Sequence, residues 1–351
     1  MSETLIVADA IEGIPHPCES AGVIGHDHAI SGFLDQHNTG RLHHAHLVTG
    51  PKGIGKATLC LRLAAHLLKN SDEEAATAHL DPVDMTDHVD AQIAARSHPN
   101  ILHMSRPWDD KGKKFKTQLT VDEVRKTISF FGTSRGEANW RIAIVDAADD
   151  MNQNAANALL KVLEEPPVQT VFFVIAHSAA RVLPTIRSRC QHLPLKPLED
   201  DALLQVLDRL NVTAGLSNEE KSEMVRLAQG SVRDAILLLR EDGLELYRSF
   251  SKLCRNLPEA DWASVHALAD MVIGKGKEER YQLLMSFAEK HMEAQAKALD
   301  NGQTPISVLA RWAQVWEKTR NSIRIADAYN LDRKQTILNL FQDMREASIQ
   351  S

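Results

Sequence analysis

Three short runs of apolar residues, 46–49, 142–145 and 171–176, are continuous, partly β-branched or aromatic, and each is followed by a turn or helix signal. That is the signature of strands buried on both faces of a parallel sheet, where neither side alternates to solvent. "PNILHM" reads as a further strand, and "TVDE" at 120–123 as a capping box opening a helix. From about residue 199 the period becomes helical. Leu203, Val206, Leu207 and Leu210 recur at i, i+3, i+4 and i+7, Ser217 with Glu220 forms a second capping box, and Ser231 with Asp234 starts another helix after Gly230. Leu309, Trp312, Ala313 and Trp316, then Ile337, Leu340, Phe341 and Met344, predict helices whose aromatics pack into a core. The pattern predicts an α/β first part and an all-helical remainder, with boundaries near 198 and 244.

A chain of 351 residues exceeds one typical core, which agrees with several domains. The formal net charge of -7 argues against coating of nucleic acid or anionic membrane by bulk attraction, so any DNA contact is expected to be local. The four cysteines are far apart and form no CxxC pair, the N-terminus does not read as a signal peptide, and no window approaches a bilayer span. A cytoplasmic, reduced setting is the expectation. His79, His88 and His98 lie among aspartates but at irregular spacing, so residues 70–100 are expected to be solvated loop or helix surface without a metal. "KGKKFK" at 111–116 reads as a solvated hairpin or loop, with contact to DNA phosphate as the functional alternative.

The chemistry concentrates in "HLVTGPKGIGKATLCLRL" at 46–63. Gly50, Gly53 and Gly55 let consecutive backbone amides converge on phosphate at a helix N-terminus, and Lys56 stands where a phosphate-loop lysine reaches the β and γ phosphates. The hydroxyl that normally follows the lysine ligates Mg²⁺; here the residue is Ala57. Asp146 ends the strand "RIAIVD", where a carboxylate can hold Mg²⁺ through water, but the adjacent position is Ala147 rather than a water-activating glutamate. Asp149 and Asp150 are expected to cap the following helix. Nucleotide binding is expected to be weak or absent, Mg²⁺ only to accompany a nucleotide, and hydrolysis by this chain to be negligible.

"NAANALLKVLEEPP" at 154–167, a following apolar strand, and "LPTIRSRC" at 183–190 resemble the clamp-loader branch of the AAA+ family. "IGHDHAI", the phosphate loop, "HPNILHM" and "GSVRDAI" follow in the same order, and the resemblance covers roughly the first 240 residues. It implies a RecA-like AAA+ P-loop domain over 1–198, a helical lid over 199–244 and an all-α collar over 245–351. It also implies a hetero-oligomer with the family's gamma/tau ATPase and delta subunits, loading a sliding clamp on primer-template DNA, without a membrane. Ser188, Arg189 and Cys190 match the SRC motif, whose arginine is presented in trans to a neighbour's nucleotide; an internal ion pair is the alternative. Arg233 matches the lid arginine called sensor 2, with packing or an ion pair as its other reading. No cysteine lies between Cys60 and Cys190, so the family's four-cysteine zinc module is not expected. The competing function is an autonomous P-loop NTPase, either a remodelling enzyme or a small-molecule kinase.

Overall fold

The computed structural model describes residues 8–70, 78–132, 140–240, 242–299, 311–312, 314–319, 321–322 and 332–349. Five parallel strands form the main sheet: β1 (Ala45–Thr49), β2 (Ile101–Met104), β5 (Arg141–Asp146), β6 (Thr170–Ala176) and β7 (Gln191–Pro194). Their order is β2-β5-β6-β1-β7, so β6 is inserted between β1 and β5, and β7 lies at an edge. Each apolar run proposed from the sequence, including "PNILHM", supplies one of these strands.

Helices cover both faces, which is why the central strands β1, β5 and β6 are buried along almost their whole length. Val48, Ile142, Ile144, Val171, Phe173 and Ile175 face α1 (Asp27–Asn38) and α2 (Lys56–Lys69) through Phe33, Leu34, Leu59 and Leu63. Their neighbours Leu47, Ala143, Val145, Phe172 and Val174 face α4 (Val121–Gly132) and α5 (Gln153–Glu164) through Val124, Ala155 and Leu159. The period of two is present, but both of its faces are wrapped. Between β2 and α4, β3 (Trp108–Asp109) and β4 (Lys114–Phe115) form an antiparallel hairpin, with Trp108 and Phe115 edge to face at 5.0 Å. Lys111, Lys113 and Lys116 are exposed on it, as the solvated-hairpin reading expects.

Residues 70–100 hold more than solvated surface. Asp87 caps α3 (His88–Ala94), and Asp90 is buried, bonded to Arg62 of α2 at 2.9 Å and to Lys69 at 2.6 Å. A buried aspartate between two cations ties α3 to α2, a pairing that polar spacing alone does not announce.

By contacts the chain divides into two compact units, 1–215 with 229–232, and 216–228 with 233–351. The regular elements among the second unit's described residues are all helices. Helices α10 (Gly243–Arg255), α11 (Trp262–Val272), α12 (Glu278–Leu299) and α13 (Arg333–Ile349) pack through Phe250, Phe287 and Phe341, the first ring lying 6.1 and 5.9 Å from the other two. Ile337, Leu340, Phe341 and Met344 are all buried, as is Trp312. Trp316 departs from the expected core role, remaining exposed at 37%. Leu309 and Ala313 lie outside the described residues. Ser217 and Glu220 exchange both capping-box bonds at the start of α8 (Asn218–Ala228). At α4 the Glu123 carboxylate is instead held by Lys126 at 2.6 Å.

Candidate functional site

All five strands run the same way, so their C-terminal ends share one edge of the sheet, where ligands of open α/β folds bind. The loop leaving β1 lies there. Gly50 has φ +152°, and a Cβ on it would sit 2.5 Å from the Leu195 carbonyl oxygen and 2.7 Å from Ile54 Cδ1. No side chain fits that approach. Gly53 and Gly55 also take positive φ, and Gly55 leads directly into α2.

Segments distant in sequence hold this loop in place. His26 Nε2 lies 2.8 Å from the Ile54 carbonyl oxygen; the Ser231 hydroxyl donates to the Lys52 carbonyl and the Val232 amide to the Gly53 carbonyl. "IGHDHAI" and "GSVRDAI" therefore meet on the loop backbone, a physical role that the sequence suggested only through resemblance. Ser231, directly before the helix Val232–Arg240, thus also braces the loop, and the Asp234 carboxylate takes Ser286 and Lys290. Lys56 is buried and folded back, its ammonium donating to the carbonyls of Gly50 at 2.7 Å and Pro51 at 2.6 Å. Burial lowers its pKa to about 8, against the pull of Asp146 and Asp149.

Asp146 lies at the tip of β5 with His103 of β2 3.5 Å away. Burial pushes its carboxyl up, but His103 and His177 outweigh that and hold it below the usual carboxylate range. Asp149 does not cap α5; Asn152 does, accepting from the Ala155 amide at 2.8 Å. The Asp149 carboxylate instead accepts from the amides of His177 at 2.8 Å and Ser178 at 3.2 Å, tying the tip of β5 to that of β6 across 28 residues of chain. Asp150 also departs from a capping role, pairing with Arg106 at 3.3 Å, and burial pushes it up to about 6. His177 is driven down to about 3 by burial and by Lys56 and Lys52, and so stays neutral.

The donor set can be tested against Mg²⁺-nucleotide. Loop amides and Lys56 suit phosphate oxygens. For the metal, position 57 offers only a methyl group and Ala147 is buried, leaving Asp146 as the carboxylate at the strand tip. The residues fit a phosphate and do not fit its magnesium. Among the described residues no group of three or more His, Cys, Asp or Glu could hold a metal ion, and no helix is long and apolar enough to cross a membrane.

Arg189 lies elsewhere. It follows α6 (Pro184–Arg187) and precedes β7, which puts it at the N-terminal edge of the sheet. Pro194, at the other end of β7, pairs with Thr49 beside the phosphate loop. Four residues of strand separate the two ends, about 13 Å at ordinary strand rise. The guanidinium donates to the Thr185 carbonyl at 3.0 Å and pairs with Glu164 at 2.7 Å, with both side chains over a third exposed. The internal ion pair considered from the sequence is therefore formed, but in the exposed setting where such pairs contribute little. Cys190 is a packing residue, its thiol pushed up to about 12 by burial. Arg233 belongs to the second unit, where it donates to Gln282 at 3.1 Å. The structure thus gathers Gly50, Gly53, Gly55, Lys56 and Asp146 at one edge and sets Arg189 at the opposite one.

Residues 25–199 match the family model described as DNA polymerase III, delta subunit. The chain is 36% identical over 154 residues to DNA polymerase III subunit delta' of Pseudomonas aeruginosa, covering 43% of each chain. It is 34% identical over 205 residues to the subunit delta' of Bacillus subtilis, covering 58% of this chain and 55% of the relative. Against DNA polymerase III subunit tau of Salmonella typhimurium the identity is 25% over 306 residues, covering 85% of this chain and 44% of the relative. The matches to the two delta' relatives span about half of those proteins.

Proposed function

We propose that this chain, whose residues 25–199 match the family model described as DNA polymerase III, delta subunit, is a delta-prime-type clamp-loader subunit of a replicative polymerase. It assembles with gamma/tau-type ATPase subunits and a delta-type subunit in the cytoplasm, and the complex loads a sliding clamp onto primer-template DNA. Residues 199–244 act as lid and 245–351 as collar in that assembly.

Within it the chain lends Arg189 to a neighbour and does not hydrolyse ATP. The observation that carries this reading is the separation of Arg189 from the chain's own phosphate loop by the length of β7. A guanidinium on the far edge of the sheet has no access to a phosphate held at Lys56, yet it stands exposed where a second subunit can approach. Exchange of the Glu164 carboxylate for a triphosphate costs little, because an exposed pair contributes under about 1 kcal/mol. A planar, permanently charged group then stabilises charge on the transferring phosphoryl.

At the chain's own loop, the substitution of the metal-binding hydroxyl by Ala57 and of the water-activating carboxylate by Ala147 removes both catalytic functions while leaving the amide cradle. Mixing the purified chain with gamma/tau-type and delta-type subunits and measuring the mass of the product tests the assembly. A stoichiometric hetero-oligomer is expected, and the chain by itself should turn over ATP far below about 1 per second. A chain that stays monomeric in that mixture and hydrolyses ATP at enzyme rates would instead be an autonomous NTPase.

A further inference from the structure

Asp9, near the start of the described chain, reaches the phosphate loop. One carboxylate oxygen lies 2.8 Å from Lys52 Nζ, inside the Gly50–Gly55 turn, and the other lies 3.0 Å from Nη2 of Arg106. Arg106 also pairs with Asp150 beyond the tip of β5. The Asp9 charge is close enough to pull upward on Asp146, Asp150 and His177, although Asp146 and His177 stay lowered by their other surroundings. A carboxylate held by two cations is thus set beside the phosphate loop, near the carboxylates at the strand tips. Asp9 also takes a left-handed conformation, φ 61°, which aspartate tolerates better than most residues.

We propose that Asp9 is an internal occupant of the anion site, its carboxylate standing in for a phosphate oxygen, so that a nucleoside triphosphate or inorganic polyphosphate must displace it to bind. This rests on the reading of the loop as a retained phosphate cradle. Weak nucleotide binding then has two separate causes: the missing metal ligand at Ala57, and a tethered competitor that lowers apparent affinity by the fraction of molecules in which it is seated.

The test is calorimetric titration of the full chain with tripolyphosphate and with ATP, both without Mg²⁺. Wild type is compared with Asp9→Asn, with Asp9→Ser as a second variant, and with Lys56→Ala added to Asp9→Asn. Asp9→Asn removes charge at constant shape and, with Lys52 released and Arg106 left paired with Asp150, is expected to tighten both anions by about tenfold or more; adding Lys56→Ala should abolish the gain. Equal affinity in wild type and both Asp9 variants, no binding in any of them, or a gain that survives loss of Lys56 would overturn the proposal. The action of Arg189 is read from hydrolysis by the assembled complex, so either idea can fail while the other stands.

Discussion

Gly50 shows how one residue sets the site. Its φ of +152° and the 2.5 Å approach of the Leu195 carbonyl oxygen leave room for hydrogen alone. Gly50→Ala should destabilise the first unit by roughly 2–4 kcal/mol, read as a lower denaturant midpoint; an unchanged midpoint would mean that the loop tolerates a side chain. The glycines and Lys56 were legible in the sequence because a phosphate loop is local, six residues between a strand and a helix. Asp149 and Asp90 were not, because their partners lie 28 residues away in one case and on a neighbouring helix in the other. Polar residues that solve a distant satisfaction problem look the same in sequence as solvated ones. The histidines give a pH prediction. Burial lowers His46 and His16 to about 4 and, helped by Lys56 and Lys52, His177 to about 3, while His26, His44 and His66 move the same way. Depressed histidine pKa values mean that the unfolded chain binds more protons, so this stability is fully present above pH 6.5 and is lost as pH falls through 6.5 toward 4. Asp149 and Asp150, raised by burial, act in the opposite sense but are fewer. Thermal melts should show Tm falling between pH 7 and 5; a rising Tm over that range would contradict the assignment.

At the level of elements, β1, β5 and β6 were readable because each is wrapped on both sides and so leaves an apolar run, whereas the edge strand β7, Gln-His-Leu-Pro with alternating burial, leaves none and was not read. β6 is the clearest case, with Phe172 on one face and Phe173 on the other, both fully buried. Alanine at either position should cost about 3–5 kcal/mol, measured by chemical denaturation. Equal, small losses would imply that β6 is peripheral. The capping box at Ser217 was legible because its two partners are three residues apart. Trp316 was misread because periodicity reports which residues share a helix face and does not say whether another element covers that face. The bonding of "IGHDHAI" and "GSVRDAI" to the loop backbone required the structure, since hydrogen bonds to carbonyls place no demand on residue type that spacing could reveal.

Across the whole molecule, catalytic parts are distributed unevenly. On the proposed reading, the first unit holds the phosphate loop with alanine at positions 57 and 147, where a hydrolytic site would carry a metal-binding hydroxyl and a water-activating carboxylate, and Arg189, proposed to act on a neighbour, sits on the edge of the sheet away from that loop. A net charge of -7 gives no general attraction to DNA, so contact with a primed template is expected through the assembly and local features such as the hairpin lysines. The direct measurement is ATP hydrolysis by the reconstituted hetero-oligomer containing Arg189→Ala, with complex mass verified beside it. The account predicts an intact complex whose DNA- and clamp-stimulated hydrolysis falls by roughly tenfold or more, within the scale known for trans arginines. Undiminished hydrolysis in a fully assembled complex would contradict it.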